Sequence, residues 1–214
     1  MKETNTKHIY LVRHGESRSN ATRIIEGAES PLTEKGIKQA AELARRFENI
    51  NVDLLLSSPY IRALDTAKAI AQAKGDLTIE VVPEVRERVY PSAVVGTRHD
   101  DSARKEFVNA MESGWLTGNH STDGESFEQL SDRARTVKEI LEQKEERNIV
   151  VSGHGVFSKF LSLFLLLEDD LTPELFVKRF NPRMRTANAA ITYFTLDVDE
   201  GWQMRAWNDH AHLG

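Results

Sequence analysis

The stretch Ile9-Tyr10-Leu11-Val12-Arg13-His14-Gly15-Glu16-Ser17 decides the fold of this chain. The apolar run Ile9–Val12 reads as a buried strand, and it stops abruptly at Arg-His-Gly-Glu. That order sets an arginine and a histidine at the carboxyl end of a strand, where open α/β sheets bind their ligands. Gly15 lets the backbone turn tightly beside His14, where a Cβ is expected to crowd an incoming group. Arg13 brings a planar fork of N–H donors suited to phosphate oxygens. The combination points to a histidine that attacks a phosphate or is held against one.

Outward from this motif, short β-rich runs alternate with amphipathic stretches, the pattern of βα units around a largely parallel sheet. The candidate strands are Ile9–Val12, Leu54–Ser57, Ile79–Val82, Ile149–Ser152, Ala190–Leu196 and Gln203–Trp207. A first helix is announced by Thr33 as cap and runs to Phe47, with Ile37, Ala40, Ala41, Ala44 and Phe47 recurring at helical steps. A second starts after Ser58, with Pro59 in its first turn. A third carries Phe127, Leu130, Ala134, Val137, Ile140 and Leu141 on one face. Val156–Leu167, interrupted by Ser158, Lys159 and Ser162, is too short for a membrane span and reads as a buried helix. Tyr90–Asp123 breaks the alternation. It holds Pro91, Gly96, Gly114, Gly118 and the run Arg98-His99-Asp100-Asp101, with a short helix over Ser102–Glu112. It reads as an insertion folded over the sheet edge within a single domain spanning residues 1–214.

Composition narrows the function. The 214 residues, 40% hydrophobic and 29% charged, suffice for one well-buried α/β domain. A net charge of −5 leaves no broad basic excess for nucleic acid, so an anionic substrate needs a local basic pocket. There is no cysteine, which excludes disulfides, thiolate metal sites and cysteine nucleophiles and fits a cytoplasmic location. Met1–Lys7 is polar, so no signal peptide is expected.

Three further segments bear on the same chemistry. Ile149-Val150-Val151-Ser152-Gly153-His154-Gly155 repeats the first motif: an apolar strand, a histidine between glycines, then a helix. Such a turn offers backbone N–H groups and the positive helix end to an anion. Arg62, in Ser57-Ser58-Pro59-Tyr60-Ile61-Arg62-Ala63, falls on the first turns of the helix after the second strand. Pro83-Glu84-Val85-Arg86-Glu87-Arg88-Val89-Tyr90 follows the third strand and offers two carboxylates, Glu84 and Glu87. Each has an ordinary reading: a turn histidine, a solvated arginine, a surface ion pair of Glu87 with Arg86 or Arg88. Their company at strand ends favours a shared site.

These segments resemble the histidine phosphatase superfamily, the phosphoglycerate mutase-like family. The resemblance lies in Arg13-His14-Gly15-Glu16, in Ser58-Pro59 followed by Arg62-Ala63 and Thr66-Ala67, in Glu87 after Val85-Arg86, and in His154 between glycines. It spans Ile9 to His212. It implies a three-layer α/β sandwich with a mostly parallel central sheet. It also implies a phosphomonoester hydrolase that acts on a small phosphorylated substrate through a phosphohistidine. In that reading His14 attacks phosphorus, splitting one displacement into two easier ones. Arg13, Arg62 and His154 stabilise the equatorial oxygens. Glu87, with Glu84 as competitor, protonates the leaving oxygen. Asn20, Gly27 and Gly155 are expected to contact substrate, and Asn188 to contact it or to support His14. The insertion, about 90–123, is expected to cover the site and shape substrate choice, with His99 and His120 inside it. No metal or other cofactor is expected; His210 and His212 read as an ordinary tail. Two alternatives stay open: a cofactor-dependent phosphoglycerate mutase, whose acid segment Glu87-Arg88-Val89-Tyr90 resembles, and a non-catalytic module that binds a phospho-ligand.

Overall fold

One six-stranded sheet runs through the molecule, in the order β3-β2-β4-β1-β5-β6. The strands are β1 (Lys7–Arg13), β2 (Leu54–Ser57), β3 (Ile79–Val81), β4 (Asn148–Gly153), β5 (Ile191–Asp197) and β6 (Gly201–Asp209). The computed structural model describes residues 6–119 and 122–214. Neighbours from β3 to β1 pair in parallel, and β5 and β6 complete the sheet antiparallel. All six expected strands are present, with ends shifted by at most two residues. The central ones were conspicuous because strands covered on both faces become nearly continuous apolar runs.

Alternation along each strand divides the core in two. Ile9, Leu11, Leu56, Ile149 and Val151 face α5 (Phe127–Gln143) and α6 (Gly155–Leu167). Val12, Leu55 and Val150 face α2 (Glu34–Phe47) and α3 (Ile61–Ala73). This gives the helix–sheet–helix layering expected of the fold. Among the described residues no helix is long and apolar enough to cross a membrane.

Several local readings need correction. Thr33 does cap α2, its Oγ1 accepting the Gly36 N–H at 3.0 Å. However, the buried face of α2 is Gly36, Ala40, Leu43, Ala44 and Phe47, while Ile37 is 59% exposed. Two apolar sets are interleaved on that helix, and packing against β1 and α3 selects the one containing Leu43. Pro59 precedes α3 instead of sitting in its first turn. The Ser58 Oγ accepts the Tyr60 N–H at 3.2 Å, and this turn delays the helix to Ile61. A five-residue helix, α1 (Arg18–Thr22), was not expected; a capping box between Ser17 and Asn20 starts it. Nor was a π-helix over Leu175–Phe180.

The insertion helix α4 runs over Ser102–Thr117, five residues beyond the expected end. Asp101 caps it and Gly118, at φ 72°, closes it. Its last turns hold because Met111 and Trp115, four residues apart, enter the core beneath α5 and α6. Trp115 lies 6.0 Å from Phe127 and 6.1 Å from Phe176 between ring centroids, and its Nε1 donates to the Glu125 carbonyl at 2.9 Å. An antiparallel bridge, Ile24 to Arg98, ties the front of the insertion to the segment after α1.

Candidate active site

The register of β1 on β4 builds the site. Arg13 lies opposite Gly153, and the His14 N–H donates to the Gly153 carbonyl at 3.0 Å. The two strand-end histidines therefore emerge side by side, their ring centroids 5.2 Å apart at an interplanar angle of 63°. Both rings are buried.

The protonation pattern of His14 follows from its neighbours. Its Nδ1 sits 2.6 Å from the Gly15 carbonyl, which can only accept, so Nδ1 carries the hydrogen. Nε2 keeps its lone pair and accepts the Arg62 Nε–H at 3.1 Å. Burial, then the charges of Arg13 and Arg62, hold the His14 pKa well below the ordinary histidine value. The imidazole is thus neutral near pH 7, with Nε2 unprotonated.

The loop carrying His14 is fixed from several sides. The Gly15 N–H donates to Thr66 Oγ1 at 3.1 Å, and Asn188 Nδ2 donates to the His14 carbonyl at 3.1 Å. Glu16 takes the Thr33 N–H on its carbonyl at 2.9 Å and pairs its carboxylate with Lys35 at 2.9 Å. A Cβ on Gly15 would run into the Gly36 carbonyl, and one on Gly36 into that of Glu16. Gly15 is therefore required by the close approach of α2, not by room for an incoming group as its sequence position implies.

The cations converge on the same point. Arg62, buried, reaches His14 with Nε and the Gly27 carbonyl with Nη1 at 2.9 Å, and lies over the Tyr60 ring. Arg13 donates through Nη1 to the Thr186 carbonyl at 2.5 Å, while its buried Nε has no protein partner. A Cβ on Gly155 would stand 3.0 Å from Thr186 Oγ1 and 3.2 Å from Arg13 Nε, so a glycine there lets the guanidinium lie against the start of α6. His154 shares Nε2 with Ser58 Oγ at 2.7 Å and leaves a buried Nδ1 unpartnered. Burial, with His14, Arg62 and Arg13 nearby, also pushes its pKa well below the ordinary value. Arg13 Nε and His154 Nδ1 thus remain available to a ligand, the latter as a donor in the tautomer in which Nε2 accepts the Ser58 hydroxyl.

Glu87 lies at the N-terminus of α6. Its Oε1 accepts the N–H groups of Arg88 and Phe157, each at 2.9 Å, and Oε2 accepts that of Val156 at 3.1 Å. The ordinary reading of this residue fails, because Arg86 and Arg88 pair elsewhere, with Glu125 at 3.7 Å and Glu112 at 2.9 Å. Glu84 sits in the 3-10 turn Pro83–Val85 and, unlike Glu87, does not line the cavity at His14.

Sequence reasoning missed what fastens this segment. Arg133 on α5 forms a buried, two-pronged pair with Glu125 at 2.8 and 2.7 Å. It also donates to the carbonyls of Glu84 and Arg86 at 2.7 and 2.6 Å. A signal existed: position 133 falls between Leu130, Ala134 and Val137 on the buried helical face. Other missed neighbours are Ser58, Thr186 and Lys159.

These groups open onto a cavity of about 580 Å³. Asn20 and Gly27 line it beside Gly155. Asn188 does not; it holds the His14 carbonyl and the Asn20 Oδ1, the latter at 2.9 Å, and so takes the supporting role. From the insertion Val89, Tyr90, Val95 and His99 form the opposite wall, whereas His120 lies outside the described residues. His210 and His212 bond backbone carbonyls of Asn208 and Ala189. Among the described residues no cluster of histidine and carboxylate groups has the makings of a metal site.

Known proteins resemble this chain in sequence and fold. The family model described as histidine phosphatase superfamily, branch 1, matches residues 9–210. A probable phosphoglycerate mutase, GpmB, of Escherichia coli is 33% identical over 96% of this chain and 94% of its own. Among solved structures, a phosphoserine phosphatase from Entamoeba histolytica superposes with a TM-score of 0.75 at 26% identity, covering 97% of this chain and 99% of that one. A phosphoglycerate mutase from Bacillus anthracis superposes with a TM-score of 0.75 at 21% identity, over 99% of this chain and 96% of that one. By its family match and by the extent of its likeness to GpmB, the chain belongs to the histidine phosphatase superfamily, branch 1.

Proposed function

We propose that this protein is a phosphatase that hydrolyses phosphomonoesters through a phosphohistidine on His14. The observation that carries the reading is the neutral imidazole whose unprotonated Nε2 faces Arg62, with a second histidine ring centred 5.2 Å away. In the first step Nε2 attacks phosphorus, the P–N bond forms and the ester P–O bond breaks. The Glu87 carboxylate takes up the proton of the phosphomonoester monoanion and passes it to the leaving oxygen. Arg13, Arg62 and His154 hold the three equatorial oxygens, which carry the charge of the transferring group. In the second step water attacks phosphorus, the P–N bond breaks, and the water proton passes to the Glu87 carboxylate. Inorganic phosphate leaves with that proton, and the site returns to its starting state.

The fixed His14 loop favours this chemistry, because a rigid nucleophile keeps the in-line geometry without reorganisation. Nothing in the steps calls for a bound metal, since the two arginines supply the neutralising charge.

Alkaline quenching of a reaction with a labelled phosphomonoester should trap one phosphoryl group on His14, stable to base and lost in acid. An acid-stable adduct, or undiminished turnover in His14→Ala, overturns the assignment. Counting inorganic phosphate in the same reaction separates hydrolysis from return of the phosphoryl group to a sugar acid, the activity named for GpmB.

A further inference from the structure

The cavity is unevenly charged. Arg13, Arg62, Arg88, Lys159 and Arg185 line it against Glu26 and Glu87, in a chain of net charge −5. Most of these groups are accounted for. Arg13 and Arg62 stand at His14. Arg88 pairs with Glu112, Glu26 pairs with Arg18, and Glu87 is held by three backbone N–H groups. Arg185 is exposed at the mouth.

Lys159 differs. Its Nζ donates only to neutral oxygens, the carbonyl and Oδ1 of Asn181 at 3.3 and 3.2 Å. Among the described residues it makes no ion pair. It is half-buried, and burial pushes its pKa below the usual lysine range. Glu87 and Glu112 act on it from a distance, but both carboxylates are bound elsewhere, so a half-buried ammonium without a direct ionic partner gains from a ligand that supplies one.

Its position says where that ligand group lies. Lys159 follows Gly155 by four residues on α6, so both leave the same helix face one turn, about 5.4 Å, apart. Gly155 rests against the Arg13 guanidinium, and Glu87 takes the N–H groups of Val156 and Phe157 between them. The phosphoryl seat, the acid and Lys159 therefore follow one another along the start of α6. A group on the leaving side of the ester reaches the lysine over roughly three or four carbon atoms.

We propose that Lys159 is a specificity-determining residue that binds a second anionic group, carboxylate or phosphate, carried by the leaving group of the substrate. The inference rests on the hydrolase reading given above. The incoming anion replaces the two Asn181 oxygens as the partner of Nζ.

One set of esters tests it. 3-Hydroxypropyl phosphate is the neutral reference; 3-(phosphooxy)propionate carries a carboxylate, and propanediol bisphosphate a second phosphate, at the same distance. The parent protein should favour at least one anionic ester in kcat/KM by about ten- to a hundredfold, the scale of a charge-assisted contact, mostly through KM. Lys159→Met should bring that ratio near one, and Lys159→Arg should keep it. Preference for the carboxylate or for the bisphosphate says which anion the site takes. Equal kcat/KM for all three esters in the parent, or a preference that survives in Lys159→Met, overturns the inference. Absence of hydrolysis of every ester would instead sink the hydrolase reading. Calorimetric binding to His14→Ala keeps the two apart, because tighter binding of the anionic ester that vanishes in His14→Ala/Lys159→Met upholds Lys159 without any turnover.

Discussion

Replacing Glu87 by glutamine separates proton donation from everything else this side chain does, provided its structural share is subtracted. The carboxylate accepts three backbone N–H groups, two on Oε1 and one on Oε2. A glutamine can direct its carbonyl oxygen at Arg88 and Phe157, but its amide then opposes the Val156 N–H, donor against donor. The loss is one hydrogen bond to a charged acceptor, about 1.5–3 kcal/mol, and a negative charge at a helix N-terminus, about 0.3–1 kcal/mol. Stability should fall by about 2–4 kcal/mol, with Tm lower by about 4–16 °C for a chain of this size. Chemistry should fall differently for different esters. An alkoxide needs a proton as it leaves, so phosphorylation of His14 by an alkyl phosphate should slow about a hundredfold or more. A nitrophenolate leaves without one, and its ester should lose far less. Rapid-quench measurement of the first step, below the melting range of the variant, reads both. Equal losses for the two esters would refute the acid assignment and leave Glu87 as a cap of α6. Glu84→Gln, outside the cavity, serves as the control that should spare both rates.

Two further outcomes are expected. His14 and His154 are held neutral in the fold by burial, with pKa values below those of the unfolded chain, so the unfolded state binds more protons below about pH 6.5. Their contribution is complete above that pH and is lost on acidification; urea midpoints should fall from pH 6.5 to 5, above the range of the depressed carboxylates. His154→Gln should flatten that slope in part, His99 and His212 being depressed in the same sense; a level profile in the parent would contradict it. Gly155→Ala presses a methyl on Thr186 Oγ1 and Arg13 Nε together, and Arg13 is tethered to the Thr186 carbonyl. It should cost about 1–3 kcal/mol of stability and at least tenfold in kcat/KM for any phosphomonoester; parental kcat/KM would show that Arg13 has slack.

The sheet was legible because its central strands β1, β2 and β4 carry nearly unbroken apolar runs, and the two histidines because each follows such a run. Adjacent parallel strands then bring their ends together without any further information. What could not be read is what depends on packing between distant segments. Ile37 and Leu43 both fit a helical stripe on α2, and only packing against β1 and α3, with the approach of Gly36 to Gly15, decides between them. The bond from Asn188 to Asn20 joins residues 168 positions apart. Arg133 is a charge on the buried face of α5 and Lys159 a charge on the otherwise apolar α6, and their meaning lies in the carbonyls and carboxylates they meet. Pro59, a helix-starting residue by habit, is overruled by one serine hydroxyl.

The Arg62 N–H that points at His14 Nε2 has a consequence for the resting protein. In the proposed mechanism it occupies the lone pair that attacks, so the nucleophile stays sheathed until a substrate binds. Neutral electrophiles and solvent offer the guanidinium nothing better to hold. A phosphoryl oxygen does: it draws the N–H off the ring nitrogen and bares the lone pair in the same movement that seats phosphorus before it. The charge that identifies the substrate is thereby also the key that arms the histidine.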